Sequence, residues 1–327
     1  MMLPETLKDR LSIPVIAAPM FLASGPELVI ECCKAGVAAG FPALNQRSTE
    51  GFETWVKEIK TALDDYAAKT GKPAAPFGVN LVVHPSNPRL QADLEVCVRH
   101  RVPLVMSILG ADPQLVDAVH GYGGLVFHDV VNAKHARKAV EAGVDGLTVV
   151  AAGAGGHAGT LNPFALINEI RQFYDGTVIL GGGISSGSDV AAAQMMGADL
   201  AYVGTRFLGT QECMISDGYK QMLLESNATD IVYTPVISGV PASFLKGSLK
   251  AAGIDPRTAE TPKMDLGLEL AGAQEGGEKK PWKDIWSAGQ GVGSITDLPQ
   301  AADLIARMKD EYTKANAAQT TRAAQWS

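Results

Sequence analysis

One histidine lies in a glycine-rich stretch, "AGAGGHAG" at residues 152–159, directly after a predicted strand. The imidazole of this residue, His157, has an ordinary pKa near 6.5 and can accept or donate a proton near neutral pH. The surrounding glycines lack a Cβ and allow the backbone to approach a ligand closely. His157 is therefore a candidate for proton transfer or for contact with a substrate.

Two further glycine-rich turns, "LGGGISSG" and "YVGTRF", follow consecutive predicted strands near residues 180 and 203. The residues of interest are Gly182, Gly183, Gly204 and Thr205. Backbone N–H groups in such turns and at the start of a short helix are suited to bind an anion. The Thr205 hydroxyl can add a hydrogen bond. This pattern predicts a phosphate site. It contains no GxGxxG motif, so it does not support a Rossmann dinucleotide site.

Polar side chains also occur at the ends of other predicted strands. Asn80 lies in "FGVN", and His128 and Asp129 lie in "VFHDVV". A buried amide at a strand end needs hydrogen-bond partners, which a ligand could provide. Because side chains alternate along a strand, only one of His128 and Asp129 can point into a barrel. The sequence alone does not decide which of the two does so.

Eight short apolar runs are separated by helix-like segments over the first 207 residues. The runs are apolar throughout, which is typical of parallel strands buried on both faces. Helical patterns between them often end in glycine, as in "NAKHARKAVEAG". Eight such repeats predict an α/β fold of the TIM (β/α)8 barrel type. The predicted strands are 13–20, 36–43, 77–83, 102–108, 124–131, 145–152, 177–184 and 200–207.

The β/α alternation stops after Phe207. The following segment contains a helix pattern, "DGYKQMLLES", and a strand-like run, "DIVYTPVIS". The chain then reaches "WSAGQG" at 286–291 and a last helix pattern at 298–315, followed by a frayed tail. We predict a barrel formed by residues 1–207 and 286–327, with residues 208–285 inserted as a smaller lid over its mouth.

Composition excludes several other classes of protein. The net charge of −7 and the pI of about 5.4 disfavour nucleic acid as the main partner. Apolar runs are too short to span a membrane, and the N-terminus lacks the apolar core of a signal peptide. None of the four cysteines forms a CxxC pair, so neither a disulfide framework nor a metal site is expected. These features favour a cytoplasmic protein.

The ordered set of motifs resembles the nitronate monooxygenase (2-nitropropane dioxygenase-like) family of FMN enzymes. The motifs are "AAPM", "FGVN", "AGAGGHAG", "GGGI", "VGTRF" and the late "WSAGQG", and the resemblance covers about residues 10–210 and 286–293. This family has the TIM-barrel fold and binds FMN. It also contains NAD(P)H:quinone reductases and FMN-dependent enoyl-thioester reductases, so the resemblance implies fold and cofactor more firmly than substrate.

The resemblance also implies roles for individual residues. It places His157 beside the reactive face of the flavin and the late glutamine of "WSAGQG" near the flavin. Main-chain groups of the first strand end would meet the isoalloxazine, and the glycine turns would hold the FMN phosphate. The residues expected to bind the cofactor are Ala18, Pro19, Met20, Asn80, His128, Gly155, Gly156, Gly182, Gly183, Gly204, Thr205 and Gln290.

One departure from the family affects the substrate. The YxxxK pattern of well-described nitronate monooxygenases is absent from "AQEGGEKKPWKDIWSAGQG", which contains Trp282 and Trp286 but no tyrosine. The leading expectation is oxidation of alkyl nitronates with O2. The alternatives are quinone or enoyl-thioester reduction with NAD(P)H, or a non-redox barrel enzyme that acts on a phosphorylated substrate. A homodimer is compatible with the sequence, which does not fix the oligomeric state.

Overall fold

The computed structural model describes residues 3–263 and 284–326, and its main element is a closed barrel of eight parallel strands. The strands of this barrel are β1 Val15–Ala17, β2 Ala38–Pro42, β3 Phe77–Val82, β4 Leu104–Ile108, β5 Leu125–Val130, β6 Gly146–Val150, β8 Thr177–Gly181 and β9 Leu200–Val203. They pair in the order β1-β2-β3-β4-β5-β6-β8-β9, and β9 pairs with β1 to close the ring. All eight predicted strands are present, which confirms the TIM-barrel prediction.

Helices follow the strands and cover the outside of the barrel. Several begin at side-chain caps where the sequence provides Ser, Asn or Asp. Ser186, for example, forms a reciprocal capping box with Asp189 at the start of the seventh helix. The helices are α1 Pro26–Lys34, α2 Thr49–Thr70, α3 Leu90–His100, α4 Pro113–His120, α5 Ala133–Glu141, α6 Pro163–Arg171, α7 Gly187–Met195, α8 Thr205–Leu208, α9 Asp217–Glu225, α10 Lys246–Ala251 and α11 Ala301–Ala323.

A second, three-stranded antiparallel sheet lies outside the barrel. It contains β10 (Ile231–Thr234), β11 (Ala242–Leu245) and the two-residue strand β7 (Gly156–His157), in the order β10-β11-β7. The sequence predicts β10, but it does not predict β7 or β11. The pairing of His157 with Ala242 joins segments far apart in the chain, so local pattern could not reveal it.

The barrel lumen is filled by large apolar side chains in its lower part. Ile16, Met106, Phe127 and Ile179 are fully buried and belong to one cluster inside the barrel. Tyr202 extends into this cluster, and its hydroxyl lies 3.5 Å from Met106 Sδ. The lumen is therefore a packed core, and a ligand can enter only at the carboxyl ends of the strands.

The C-terminal helix is longer than the sequence pattern indicated. The prediction of a frayed tail after residue 315 is wrong, because α11 continues to Ala323. Ala, Gln and Arg in this stretch have good helix propensity, which sustains the helix without burial. Its first half packs on α7 and α1 through Leu304, Ile305 and Met308, whereas its last two turns are exposed.

Residues 208–263 and 284–285 provide α9, β10, β11 and α10. The proposed division into barrel and lid stays a prediction, and the "AQEGGEKKPW" segment with Trp282 lies outside the described residues. All four cysteines are buried free thiols. Within the described ranges, no helix has the length and apolar character that crossing a bilayer requires.

Candidate active site

The ends of β1 and β9 meet at the barrel mouth. The Ala18 N–H donates to the Val203 carbonyl oxygen at 2.9 Å. A Cβ added at Gly204 would lie 3.7 Å from Ala18 Cβ and 3.8 Å from Met20 Sδ. Pro19 and Met20 are partly exposed at this edge. The first-strand motif and one of the two glycine turns therefore form one continuous wall of the mouth.

The glycine turns after β8 and β9 form a cradle with the properties of an anion site. Gly182 and Gly183 have φ angles of 134° and 70°, which favour glycine. A Cβ at Gly182 would come 2.8 Å from the Ala152 carbonyl oxygen, whereas the corresponding space at Gly183 is open. Gly183 is exposed, and the adjacent turn continues into the first residues of α8. The residues present fit a phosphate group.

Thr205 links this cradle to the late "WSAGQG" segment. Its Oγ1 accepts a hydrogen bond from the Gly289 N–H at 2.8 Å, so the hydroxyl proton is left to be donated to a ligand. Arg206, the next residue, is buried, and its guanidinium pairs with Asp297 at 2.6 Å. The cradle therefore depends on main-chain N–H groups and one hydroxyl, because this arginine is directed elsewhere.

The glycine-rich loop after β6 packs directly on the returning segment. The Gln290 N–H donates to the Gly153 carbonyl oxygen at 2.8 Å, and a Cβ on Gly155 would lie 2.8 Å from Gly289 N. Gly155 thus faces the returning chain, whereas the space next to Gly156 is open. Gln290 is exposed, with its side chain over Gly153. The sequence prediction that "WSAGQG" returns to this region describes the observed contact.

Ser287 holds three segments together at this point. Its hydroxyl accepts from the Gly156 N–H at 2.8 Å and donates to the Ser243 carbonyl oxygen at 2.6 Å. Its own N–H donates to the Tyr219 hydroxyl at 2.9 Å, and the Tyr219 hydroxyl also donates to the Ser287 carbonyl oxygen. The ring of Tyr219 stacks on Trp286 with centroids 5.0 Å apart. Sequence reasoning missed these residues, although the "WSAGQG" motif identified the segment.

His157 occupies β7, immediately after the glycine that Ser287 holds. Its Nε2 lies 3.2 Å from Ser238 Oγ, and its strand pairs with Ala242 of β11. Burial lowers the pKa of the imidazole to about 4, because the charged form loses its hydration. His157 is therefore neutral at neutral pH. Neither the strand nor the Ser238 partner could be read from local sequence.

The structure decides between His128 and Asp129. Phe127 belongs to the cluster inside the barrel, so alternation places Asp129 on the lumen side and His128 on the helix side. His128 is buried, and its Nδ1 lies 2.8 Å from Ser107 Oγ. Burial lowers its pKa to about 4, with a smaller contribution from His135 of α5. The prediction that His128 binds the cofactor is untested, and the position of its side chain on the helix side of β5 argues against it.

Asn80 lies on the lumen side of β3 and is buried. Its Nδ2 donates to the Met106 carbonyl oxygen of β4 at 3.1 Å, which fixes the orientation of the amide. The prediction that it bonds to the cofactor or substrate stays open. The structure brings together the remaining predicted groups at one end of the barrel, in the first strand end, the glycine-rich loop, the two turns and the returning segment.

A closed eight-stranded barrel, with an anion cradle at its carboxyl end and a partly buried imidazole on the adjoining loop, is the architecture of a TIM-barrel enzyme. The chain belongs to the nitronate monooxygenase family, because the family model described as "Nitronate monooxygenase" matches residues 4–311. Members of this family are oxidoreductases, and the family and its flavoenzyme neighbours indicate a flavin cofactor. The motif resemblance described above is therefore confirmed.

Relatives with known names cover nearly the whole chain. A nitronate monooxygenase of Paraburkholderia phytofirmans is 27% identical and aligns over 91% of this chain and 92% of its own length. A (3aS,4S,5R,7aS)-5-hydroxy-7a-methyl-1-oxo-octahydro-1H-indene-4-carboxyl-CoA dehydrogenase of Rhodococcus jostii is 26% identical and aligns over 89% of this chain and 90% of its own length.

Solved structures support the fold. A nitroalkane oxidase of Streptomyces ansochromogenes superposes with a TM-score of 0.80 at 24% identity and covers 96% of this chain and all of its own. FabK of Thermotoga maritima superposes with a TM-score of 0.79 at 23% identity, over 99% of this chain and all of its own. At these identities, the likeness concerns the barrel and its additional elements and does not extend to the substrate.

Proposed function

We propose that this chain binds FMN and oxidises alkyl nitronates with O2. The observation that carries this proposal is that the glycine-rich loop leading to the neutral imidazole of His157 packs against the anion cradle at the barrel mouth. The link between them is short: a Cβ on Gly155, two residues before His157, would lie 3.3 Å from Thr205 Oγ1 of the cradle. Membership in the nitronate monooxygenase family supports this reading of the site.

The glycine turns would hold the FMN phosphate. The open space at Gly183 admits phosphate oxygens close to the main chain, and a positive φ there keeps larger residues out. Gly204 and the Thr205 hydroxyl would form the other side of this phosphate site. A single cradle without a dinucleotide motif favours FMN over FAD. Met20 and Ala18, which touch the position of a Gly204 Cβ, would lie beside the ring.

When bound, FMN would supply the redox chemistry and pass electrons from the substrate to O2. His157 would supply proton chemistry: its neutral imidazole can take the proton from the carbon next to a nitro group, which leaves a nitronate and an imidazolium. A nitronate that is already formed does not need this step, so His157 would then orient the anion. Ser238, which lies 3.2 Å from Nε2, would hold the ring in position.

The test combines cofactor identification with turnover. Acid precipitation of the purified protein should release a flavin whose mass is that of FMN, and recovery of FAD would contradict the cofactor assignment. Oxygen consumption should depend on added alkyl nitronate. Rapid flavin reduction by NAD(P)H without nitronate-dependent oxygen uptake would refute the proposed reaction while leaving the flavin assignment intact.

A second candidate is oxidoreduction of a thioester or quinone at the same flavin. Two observations favour it: the YxxxK pattern is absent from the sequence, and two relatives are named as dehydrogenases of a carboxyl-CoA. In this case NAD(P)H or the thioester substrate would exchange hydride with the flavin, and His157 would not be needed for flavin reduction. Turnover with an enoyl thioester or a quinone and NAD(P)H would support this candidate.

A further inference from the structure

Two side chains inside the barrel each contain an enclosed polar atom that makes no well-formed hydrogen bond to the described residues. The atoms are Asp129 Oδ1 and Thr148 Oγ1, and the two side chains are close enough for the Thr148 hydroxyl to affect the pKa of Asp129. The two residues lie opposite each other in the β5–β6 register. Enclosed polar atoms without partners are rare in native proteins, because they give up their bonds to water without a replacement.

The apolar residues deeper in the lumen offer no hydrogen-bond partner to these two side chains. Phe127, the preceding lumen residue on β5, is fully buried, as is Met106 on β4, and neither can replace the lost hydrogen bonds to water. Across the lumen, the Tyr202 hydroxyl is directed to Met106 Sδ. Asp129 itself is partly exposed near the carboxyl end of β5. The open direction is therefore the one from which a cofactor would approach.

The position of Asp129 favours the protonated carboxyl, which can donate a hydrogen bond. Burial raises its pKa to about 7, and the nearby Thr148 hydroxyl opposes this shift only in part. A protonated carboxyl has one O–H donor, whereas an ionised one only accepts. Tyr202 is the titratable group that faces it from β9, and the pKa of Tyr202 is raised mainly by burial and also by the Asp129 charge. His128 faces the helices and does not share this space.

We propose that Asp129 and Thr148 form a flavin-contacting site at the floor of the mouth, in which the Asp129 carboxyl and the Thr148 hydroxyl donate hydrogen bonds to acceptor atoms of the flavin ring. The ring carries carbonyl oxygens and unprotonated nitrogens, which are suitable acceptors. This inference rests on the flavin of the proposed function and is independent of the substrate. It assigns the residue next to His128, instead of His128, to the cofactor.

The first test is a pH titration of the bound flavin followed by its visible absorbance. Ionisation of Asp129 removes the donor, so the wild-type spectrum should change in one transition between about pH 6 and about pH 8. Asp129→Asn keeps the size and polarity of the side chain but does not titrate, and its spectrum should stay constant over this range. His128→Asn is the matched control, because the neighbouring side chain faces the helices. Its spectrum should retain the transition.

The second test measures FMN binding to the apoprotein. Thr148→Val and Asp129→Leu each remove one donor and should weaken FMN binding by roughly threefold to tenfold, as expected for one neutral hydrogen bond. Asp129→Asn retains N–H donors and should bind within about threefold of the wild type. Circular dichroism of each apoprotein establishes that the barrel is folded.

The outcomes separate this inference from the proposed function. If the wild type binds FMN but shows no transition, or if Asp129→Asn retains it, Asp129 does not contact the flavin. In either case the FMN assignment and the nitronate assay are unaffected. If the wild type binds no flavin, the proposed function fails together with this inference.

Discussion

Gly183 is the residue at which cofactor binding can be tested most directly. Gly183→Asp places a negative charge in the open space that we assign to the phosphate. Two like charges about 4 Å apart repel by about 4 kcal/mol at an intermediate effective dielectric constant. We expect FMN occupancy to collapse while circular dichroism shows a folded barrel. The φ of 70° also strains any side chain, so Gly183→Ala is the control, and it should lose much less flavin.

Gly204→Asp, in the adjacent turn, should behave like Gly183→Asp. Unchanged flavin content in either aspartate variant would remove that glycine from the site.

His157 distinguishes proton chemistry from simple binding. His157→Asn should lower turnover of a neutral nitroalkane by roughly 10²- to 10⁴-fold, the usual contribution of a positioned general base. Turnover of a pre-formed nitronate should fall much less, because no proton has to be removed. Steady-state oxygen consumption with both substrates measures the difference. Equal losses with the two substrates would mean that His157 serves binding only.

The pH profile gives a second measurement of the same residue. From the sequence alone, nitroalkane turnover is expected to decline below the ordinary imidazole pKa of about 6.5. Burial lowers the pKa of His157 to about 4, so the neutral base persists to more acidic pH. Nitroalkane turnover should therefore decline only as the pH approaches about 4. A limb at the ordinary value would show that the imidazole is solvated in the working enzyme.

At the level of elements, the contact between β7 and the returning segment positions His157. Ser287→Ala removes the hydrogen bonds to the Gly156 N–H and to the Ser243 carbonyl oxygen. We expect weaker FMN binding and lower turnover, with little change in the melting temperature. The reason is that β7 has only two residues and one strand partner, so its position depends on this contact while the barrel does not. Ser188→Ala, at an exposed position of α7, is the control. Wild-type FMN affinity and turnover in Ser287→Ala would show that the sheet holds β7 without it.

At the level of the whole molecule, the buried histidines make stability depend on pH. The pKa of His128 is lowered to about 4 in the folded protein, whereas an unfolded histidine titrates near 6.5. Below about pH 6.5 the unfolded chain therefore binds a proton that the folded chain does not, and stability falls as the pH falls. Between about pH 7 and about pH 5 the titration of this residue should lower the free energy of unfolding by about 2 kcal/mol. The free energy of unfolding of His128→Asn should depend less on pH by that amount.

The titration of Asp129 changes stability in the opposite direction over part of the same pH range. Its pKa is raised to about 7, so the folded protein retains a proton that the unfolded chain loses above about pH 4, and stability falls as the pH rises. Urea unfolding at several pH values measures both residues. In Asp129→Asn the free energy of unfolding should fall more steeply as the pH is lowered. The same dependence on pH in His128→Asn, Asp129→Asn and the wild type would contradict these assignments.

The sequence by itself determined the barrel and the location of its mouth. Eight apolar runs separated by helical patterns require parallel strands, and parallel strands place all their carboxyl ends together. The glycine motifs located the turns at 182–183 and 204, and the positive φ of Gly182 and Gly183 agrees with the choice of glycine there, whereas Gly204 has neither a positive φ nor a close contact. These signals are local, so the sequence carries them without knowledge of long-range contacts.

Only the tertiary structure decided which polar groups reach the mouth. His128 and Asp129 are adjacent, and only one of them can point into the barrel. Because Phe127 belongs to the cluster inside the barrel, Asp129 lies on the same face of β5 and points into the lumen. The strand that carries His157 exists because β11 pairs with it and Ser287 holds Gly156. Both are contacts between residues distant in sequence. The lowered pKa of His157 and the raised pKa of Asp129 follow from the same burial.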